Sequence, residues 1–163
     1  MLELITDRTQ YHVSLLNRLR KKSWSSMTAS EQTAWYGEAA KGGYNYTDLN
    51  RVEEAVRELA AELGLNLVTK TNWTRWDIPV VSEMERYLGN VAAIRDACPG
   101  DVEFPTLPVS MSGLTYQGAN NIEKVLLLVY EELHGTPVEP DIPDDPTTAD
   151  YIRSGEIYSG EVI

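Results

Sequence analysis

At 163 residues the chain has the length of one ordinary domain or two very small ones, and its 42% hydrophobic content is enough for a real core. A net charge of −11, from 25 acidic and 14 basic residues, repels a phosphate backbone and sets a poor prior for nucleic-acid binding. No apolar run approaches the roughly 20 residues of a membrane helix, and one cysteine with two histidines cannot close a zinc site.

The start, Met1 to Asp7, lacks the basic residues and long apolar stretch of a secretion signal, so synthesis and folding in the cytoplasm are expected. A first helix is predicted from about Thr6 to Lys22, with Val13, Leu16 and Leu19 recurring at steps of three beside Leu15. The cations Arg18, Arg20, Lys21 and Lys22 follow this stripe and suit a helix C-terminus, where positive charge complements the dipole. Thr28-Ala-Ser-Glu31 is a capping box that opens a short second helix, ending near Ala40 before Gly42-Gly43. Trp24 and Trp35 bracket it and are expected to pin it to the bundle.

The third helix carries Leu49, Val52, Val56, Leu59 and Leu63 on one face and stops at Gly64. The pattern then breaks over 65–80, a stretch with Trp73, Trp76 and Ile78-Pro79. Ser82-Glu-Met-Glu85 reads as a second capping box, opening a fourth helix with Met84, Leu88, Val91 and Ile94 on one face. Cys98, before Pro99-Gly100 at its end, reads as a structural thiol. A connection with Pro105 and Pro108 leads to a fifth helix from about Tyr116 to Leu133, ended by His134-Gly135. Residues 136–150 form an acidic Pro-rich linker that cannot pack a core. In 151–163, Ser-Gly-Glu occurs twice among apolar residues, a composition suited to short strands with glycine kinks.

An internal duplication is the strongest signal. Shifted by 70 positions, 43–63 meets 113–133 with six identities: Gly43/Gly113, Tyr46/Tyr116, Asn50/Asn120, Glu53/Glu123, Glu62/Glu132 and Leu63/Leu133. A weaker match at offset 75 pairs Val13/Leu88, Leu16/Val91, Leu19/Ile94 and Arg20/Arg95. Asn45 and Thr115 fall at equivalent positions as N-caps, with Tyr44 and Leu114 placed to staple onto Leu49 and Ala119. The expected fold is therefore all-α: duplicated antiparallel helical hairpins, about five helices in all, with an extended C-terminal arm. The hairpins cover about 6–64 and 82–134 within a bundle spanning 1–135.

The copies differ where the fifth helix has Leu127, Leu128 and Tyr130 in place of Arg57, Glu58 and Ala60. A helix apolar all round needs cover on every side, either as the central element of the bundle or by meeting another chain. The chemistry of catalysis has no matching motif. Glycine-rich phosphate loops are missing, and Glu131-x-x-His134 has the spacing of a helical di-iron ligand pair. Its duplicate reads Ala61-Glu-Leu-Gly64, so the required second copy is lacking. Trp73-Thr-Arg-Trp76 is the one feature resembling a ligand site, because two loop tryptophans can stack on a sugar or grip a peptide. The alternative is that they seal the junction between the hairpins.

Several stretches together resemble a family of small proteins encoded in phages and prophages of Gram-positive gut bacteria. They are Thr6-Asp-Arg-Thr9; Trp24 with Met27-Thr28, Glu31 and Trp35; and Tyr44-Asn45 with Thr47-Asp48-Leu49-Asn50-Arg51-Val52. Asp77-Ile78-Pro79, Ser82-Glu83-Met84, Arg86-Tyr87-Leu88, Gly113-Leu114-Thr115-Tyr116 and Asn120 to Glu123 complete the pattern, which spans roughly 5–133. The family is similar to minor virion structural proteins of the tail or baseplate and carries no defined activity or catalytic residues. The resemblance implies a non-enzymatic virion component in the tail region, without cofactor, membrane or nucleic acid. Its partners would be other virion proteins and copies of itself. The contact residues expected for it are Leu127, Leu128 and Tyr130 on the fifth helix and Tyr151, Ile152, Ile157, Tyr158 and Val162 on the arm, which would add strands to a neighbour. The rival readings are a host-surface carbohydrate module built on Trp73 and Trp76, and a cytoplasmic regulator of a host protein.

Overall fold

The structure, a computed structural model, describes residues 2–135. Its elements are all helical. They are α1 (Gln10–Leu19), α2 (Ala29–Tyr36), α3 (Tyr46–Glu62), α4 (Val81–Asp96) and α5 (Tyr116–His134), with short 3-10 turns at Trp24–Ser26 and Ala40–Gly42. Among the described residues there is no strand, and no helix is long and apolar enough to cross a membrane. The linker 136–150 and the arm 151–163 lie outside the described residues.

The main core is where α3, α4 and α5 meet. Val52, Val56 and Leu59 of α3, Tyr87, Val91 and Ile94 of α4, and Ile122, Val125, Leu126 and Val129 of α5 are fully or almost fully buried together. The stripes at helical spacing are thus spent on helix-to-helix packing. A second, smaller cluster joins Leu15 and Leu19 of α1 to Met27 and Ala39, with Leu16, Ala34 and Trp35 against it. α4 and α5 pack directly as a hairpin, while α1 packs on the Ala40–Gly42 turn and on α2. That turn comes in very close: a Cβ on Gly42 would lie 2.1 Å from the His12 carbonyl oxygen of α1.

The ends of the helices follow from local chemistry. At the start of α3 the Asn45 side chain accepts from Thr47 N at 2.8 Å, and Asp48 reaches back to Asn45 N at 2.8 Å. Thr115 accepts from Gly118 N at 3.1 Å to open α5, and Thr28 with Glu31 forms the reciprocal box of α2. Gly64, at φ 70, closes α3, with Leu65 N donating to Ala60 O at 2.8 Å.

Four boundaries differ from the sequence expectation, one of them the end of α1, which stops at Leu19 and not at Lys22. α1 begins at Gln10 and not near Thr6, because residues 2–9 run extended and are held on α5 by side chains described below. α2 ends at Tyr36, short of Ala40, where Gly37 departs from helical geometry. α4 opens at Val81, one residue before Ser82: Glu83 receives Val80 N at 3.0 Å, and Val80 has no side-chain oxygen to complete a box.

Candidate interaction surface

The duplicated pair Asn50/Asn120 and Glu53/Glu123 performs the same task twice. Asn120 accepts from Arg8 N at 3.1 Å and donates to Arg8 O at 2.9 Å, clasping one residue's backbone on both sides. Three residues along α5, Glu123 accepts from Ile5 N at 2.6 Å. On α3, Asn50 accepts from Trp73 N at 2.7 Å and donates to Trp73 O at 2.9 Å, while Glu53 accepts from Lys70 N at 3.1 Å. Side chains at i and i+3 share a helix face, so each pair forms a ladder on which an extended strap lies antiparallel to the helix. Strap 1 (2–9) rests on α5 and strap 2 (65–76) on α3, so each half of the duplication straps the other.

The straps match each other at an offset of 65. Thr74 donates both its N–H and its hydroxyl to Asp77, at 2.6 and 2.7 Å. Thr9 N donates to His12 Nδ1 at 3.0 Å, with the hydroxyl at 3.3 Å. Because Nδ1 faces an N–H, the proton sits on Nε2, which meets Glu38 at 2.7 Å. This correspondence was hidden in the sequence because the acceptor changes from His to Asp and the strap residue from Arg to Trp.

Glu123 also anchors a buried ion cluster. Arg8 contacts Asp48 at 2.8 Å and Glu123 at 2.7 Å, and Arg51 reaches both carboxylates, with Glu123 at 2.8 Å. Two cations and two anions balance, which is the condition for burying such charges. Burial pulls the Arg51 guanidinium down, but the hydrogen bonds to Glu123 and Asp48 outweigh it and hold its pKa above the usual value. Beside the cluster, the Tyr44 and Tyr87 hydroxyls share a 2.5 Å hydrogen bond, and burial raises both their pKa values.

The two tryptophans of the expected ligand loop do not make a stacking platform. Trp73 is only 2% exposed and belongs to the main core, with Lys70 Nζ 3.5 Å from its ring centre. Trp76 is 78% exposed and carries the Arg75 guanidinium 4.6 Å over its face. Between them the chain turns, with Asp77 N donating to Thr74 O at 3.1 Å, so Trp76 stands in an exposed turn while Trp73 stays on α3. On α5, Leu127, Leu128 and Tyr130 are half-buried. Tyr130 packs against the core and stacks on His134 with ring centres 4.1 Å apart. His134 Nε2 lies 3.2 Å from Glu62, which ties the C-terminal ends of α3 and α5 together. Tyr151, Ile152, Ile157, Tyr158 and Val162 lie outside the described residues.

An open apolar groove lies elsewhere, between the first half of α4 and the connection into α5. A groove of about 860 Å³ is walled by Val80, Val81, Met84, Leu88, Met111 and Leu114 among others, with Glu85 as its one charged residue. Val80, Val81 and Val109 on its wall are exposed, and so are Trp76 and Ile78, which precede Val80 in the chain. The sequence signal is Ile78-Pro79-Val80-Val81, an apolar run that falls where the helical pattern breaks and α4 begins. Among the described residues, no group of three or more His, Cys, Asp or Glu is placed to hold a metal ion. Cys98 is partly buried and free. No family model, curated protein or solved structure matches the chain.

Proposed function

We propose that the chain is a non-enzymatic structural component of a phage particle, in the tail or baseplate, held by protein–protein contacts through the groove between α4 and the 105–114 connection. The observation that carries the contact is the exposed run Trp76, Ile78, Val80 and Val81 beside that groove. Clustered exposed apolar side chains around a concavity mark interaction sites more reliably than isolated ones. The particle itself rests on the resemblance of residues 5–133 to minor virion proteins. A rigid bundle with paired straps suits a part that presents a fixed surface, and its partners would be other virion proteins and copies of itself.

The experiment is mass spectrometry of purified particles, with the wild-type chain and with Val81→Asp combined with Val109→Asp. Both substituted positions are exposed, so the variant keeps the thermal midpoint of the wild type. The wild-type chain is expected in the particle and the variant is expected to be lost from it. Recovery of the wild-type chain only in the cell lysate, never in particles, overturns the reading. Equal incorporation of the variant overturns the groove as the contact.

A further inference from the structure

The two ends of the bundle differ in charge. Arg18, Arg20, Lys21 and Lys22 are all exposed at the end of α1, within five consecutive positions of a chain whose net charge is −11. Lys22 pairs with Glu31 at 2.7 Å, while Arg18, Arg20 and Lys21 make no ion pair among the described residues. Immediately beyond them, Trp24 (48% exposed) and Tyr36 (75% exposed) meet edge to face with ring centres 5.6 Å apart. Gln10 and Val13, at the start of α1, share a cleft with Tyr116 and Gln117 of the first turn of α5, and α1 then packs on the Ala40–Gly42 turn and α2. The cations therefore stand beyond the end of the bundle at which α3 and α5 begin.

The opposite end carries the complementary charge. α3 and α5 finish there together, tied by Glu62 and His134 at 3.2 Å. Glu131 and Glu132 lie in the last turn of α5, and the segment that follows α4 comes against them: a Cβ on Gly100 would lie 2.2 Å from Glu132 Oε1. That close approach brings the exposed Asp101 and the exposed Pro99 to the same end. Asp101, Glu131 and Glu132 make no ion pair among the described residues. The carbonyl ends of α3 and α5 add the negative poles of their dipoles.

We infer that copies of this chain join end to end, the cationic end of α1 in one copy seating on the acidic end of α3 and α5 in the next. Charge selects this orientation, because two like ends repel and unlike ends attract. The Trp24–Tyr36 corner gives the contact an apolar part, for which Pro99 of the neighbouring copy supplies a ring. The two surfaces are different and lie at opposite ends, so the contact is heterologous. Each added copy leaves one end of either kind open, and growth continues until a ring closes or a filament forms. The inference deepens the copy-to-copy contact of the proposed function and rests on that part of it, while leaving the groove free for a different partner.

Sedimentation of the purified full chain tests it. At low salt the wild-type mass should rise with concentration past that of two chains. In half-molar salt, where screening shortens to a few ångströms, the association constant should fall about tenfold. Arg18→Gln with Arg20→Gln and Lys21→Gln disables the cationic end, and Asp101→Asn with Glu131→Gln and Glu132→Gln disables the acidic end. Each variant alone should sediment as a monomer with the circular dichroism of the wild type. An equal mixture of the two should form a two-chain species and nothing larger, because the intact acidic end of the first meets the intact cationic end of the second. Arg57→Gln, at an exposed cation of α3, should assemble as the wild type does. A wild-type chain that stays monomeric at low salt, a mixture that stays monomeric, or a variant that assembles alone each overturns the inference. Sedimentation reads the end-to-end contact and particle mass spectrometry reads the groove, so the two fail separately.

Discussion

Asn120 holds one residue, Arg8, by both of its backbone groups, and Asn50 does the same for Trp73. An extended strap has no helix or sheet ladder of its own, so these side chains stand in for the missing backbone partners. Asn120→Ala should therefore lower stability by about 1–3 kcal/mol, the cost of leaving a buried donor and acceptor unmet. Hydrogen exchange should localise the effect, with Arg8 and Ile5 amides exchanging faster while Trp73 and Lys70 are unchanged. Glu123 is a harder loss, because Arg8, Arg51 and Ile5 N all converge on it and its side chain is fully buried. Glu123→Ala should cost about 3–5 kcal/mol, since it strands a buried cation, and a denaturant melt would measure it. The duplication pointed at Asn50/Asn120 and Glu53/Glu123 as matched positions, but not at what they hold. Their partners are 112 to 118 residues away for α5, and pattern reading reaches only a few turns along a helix.

At the scale of elements, the sequence was most informative where a helix start or stop is decided by its own neighbours. Asn45, Thr115, Thr28 with Glu31, and Gly64 all act where the spacing places them. It was least informative where a distant helix decides. Residues 6–9 have a helical look, yet α5 claims them as strap. The opening of α4 depends on Glu83 and not on Ser82, although both lie in the same first turn. The carboxylates at these ends carry a pH signature. A hydrogen bond from Lys22 lowers the pKa of Glu31 below 4.5, that from Val80 N does so for Glu83, and that from Thr74 takes Asp77 below 3.8. A carboxylate with a depressed folded-state pKa contributes stability above its unfolded value and loses it as pH falls through the folded one. The thermal midpoint should thus be level from pH 7 to about 5 and fall steadily below about 4.5. Glu83→Gln should flatten that fall, and a series of melts in buffers from pH 7 to 3 would show it.

For the molecule as a whole, the all-α class and the packing of α3 and α5 on α4 follow from stripes that the sequence displays openly. The reciprocal strapping does not, because extended segments leave no periodicity to read. It has a direct consequence for stability, since each half contributes the ladder on which the other half's strap lies. Fragments 1–64 and 65–135, expressed apart, should each give the circular dichroism of a largely unfolded chain, and mixing them should restore helix. Two fragments that fold independently, each with a cooperative melt of its own, would contradict this.

Strap 1 is synthesised well before its ladder, because Asn120 and Glu123 lie 112 and 118 residues further along the chain than Arg8 and Ile5. For most of synthesis Arg8 is a cation without its Glu123 counter-ion, and Ile5 N–H has only water to meet. Completion of the native structure is thus deferred until translation has passed α5.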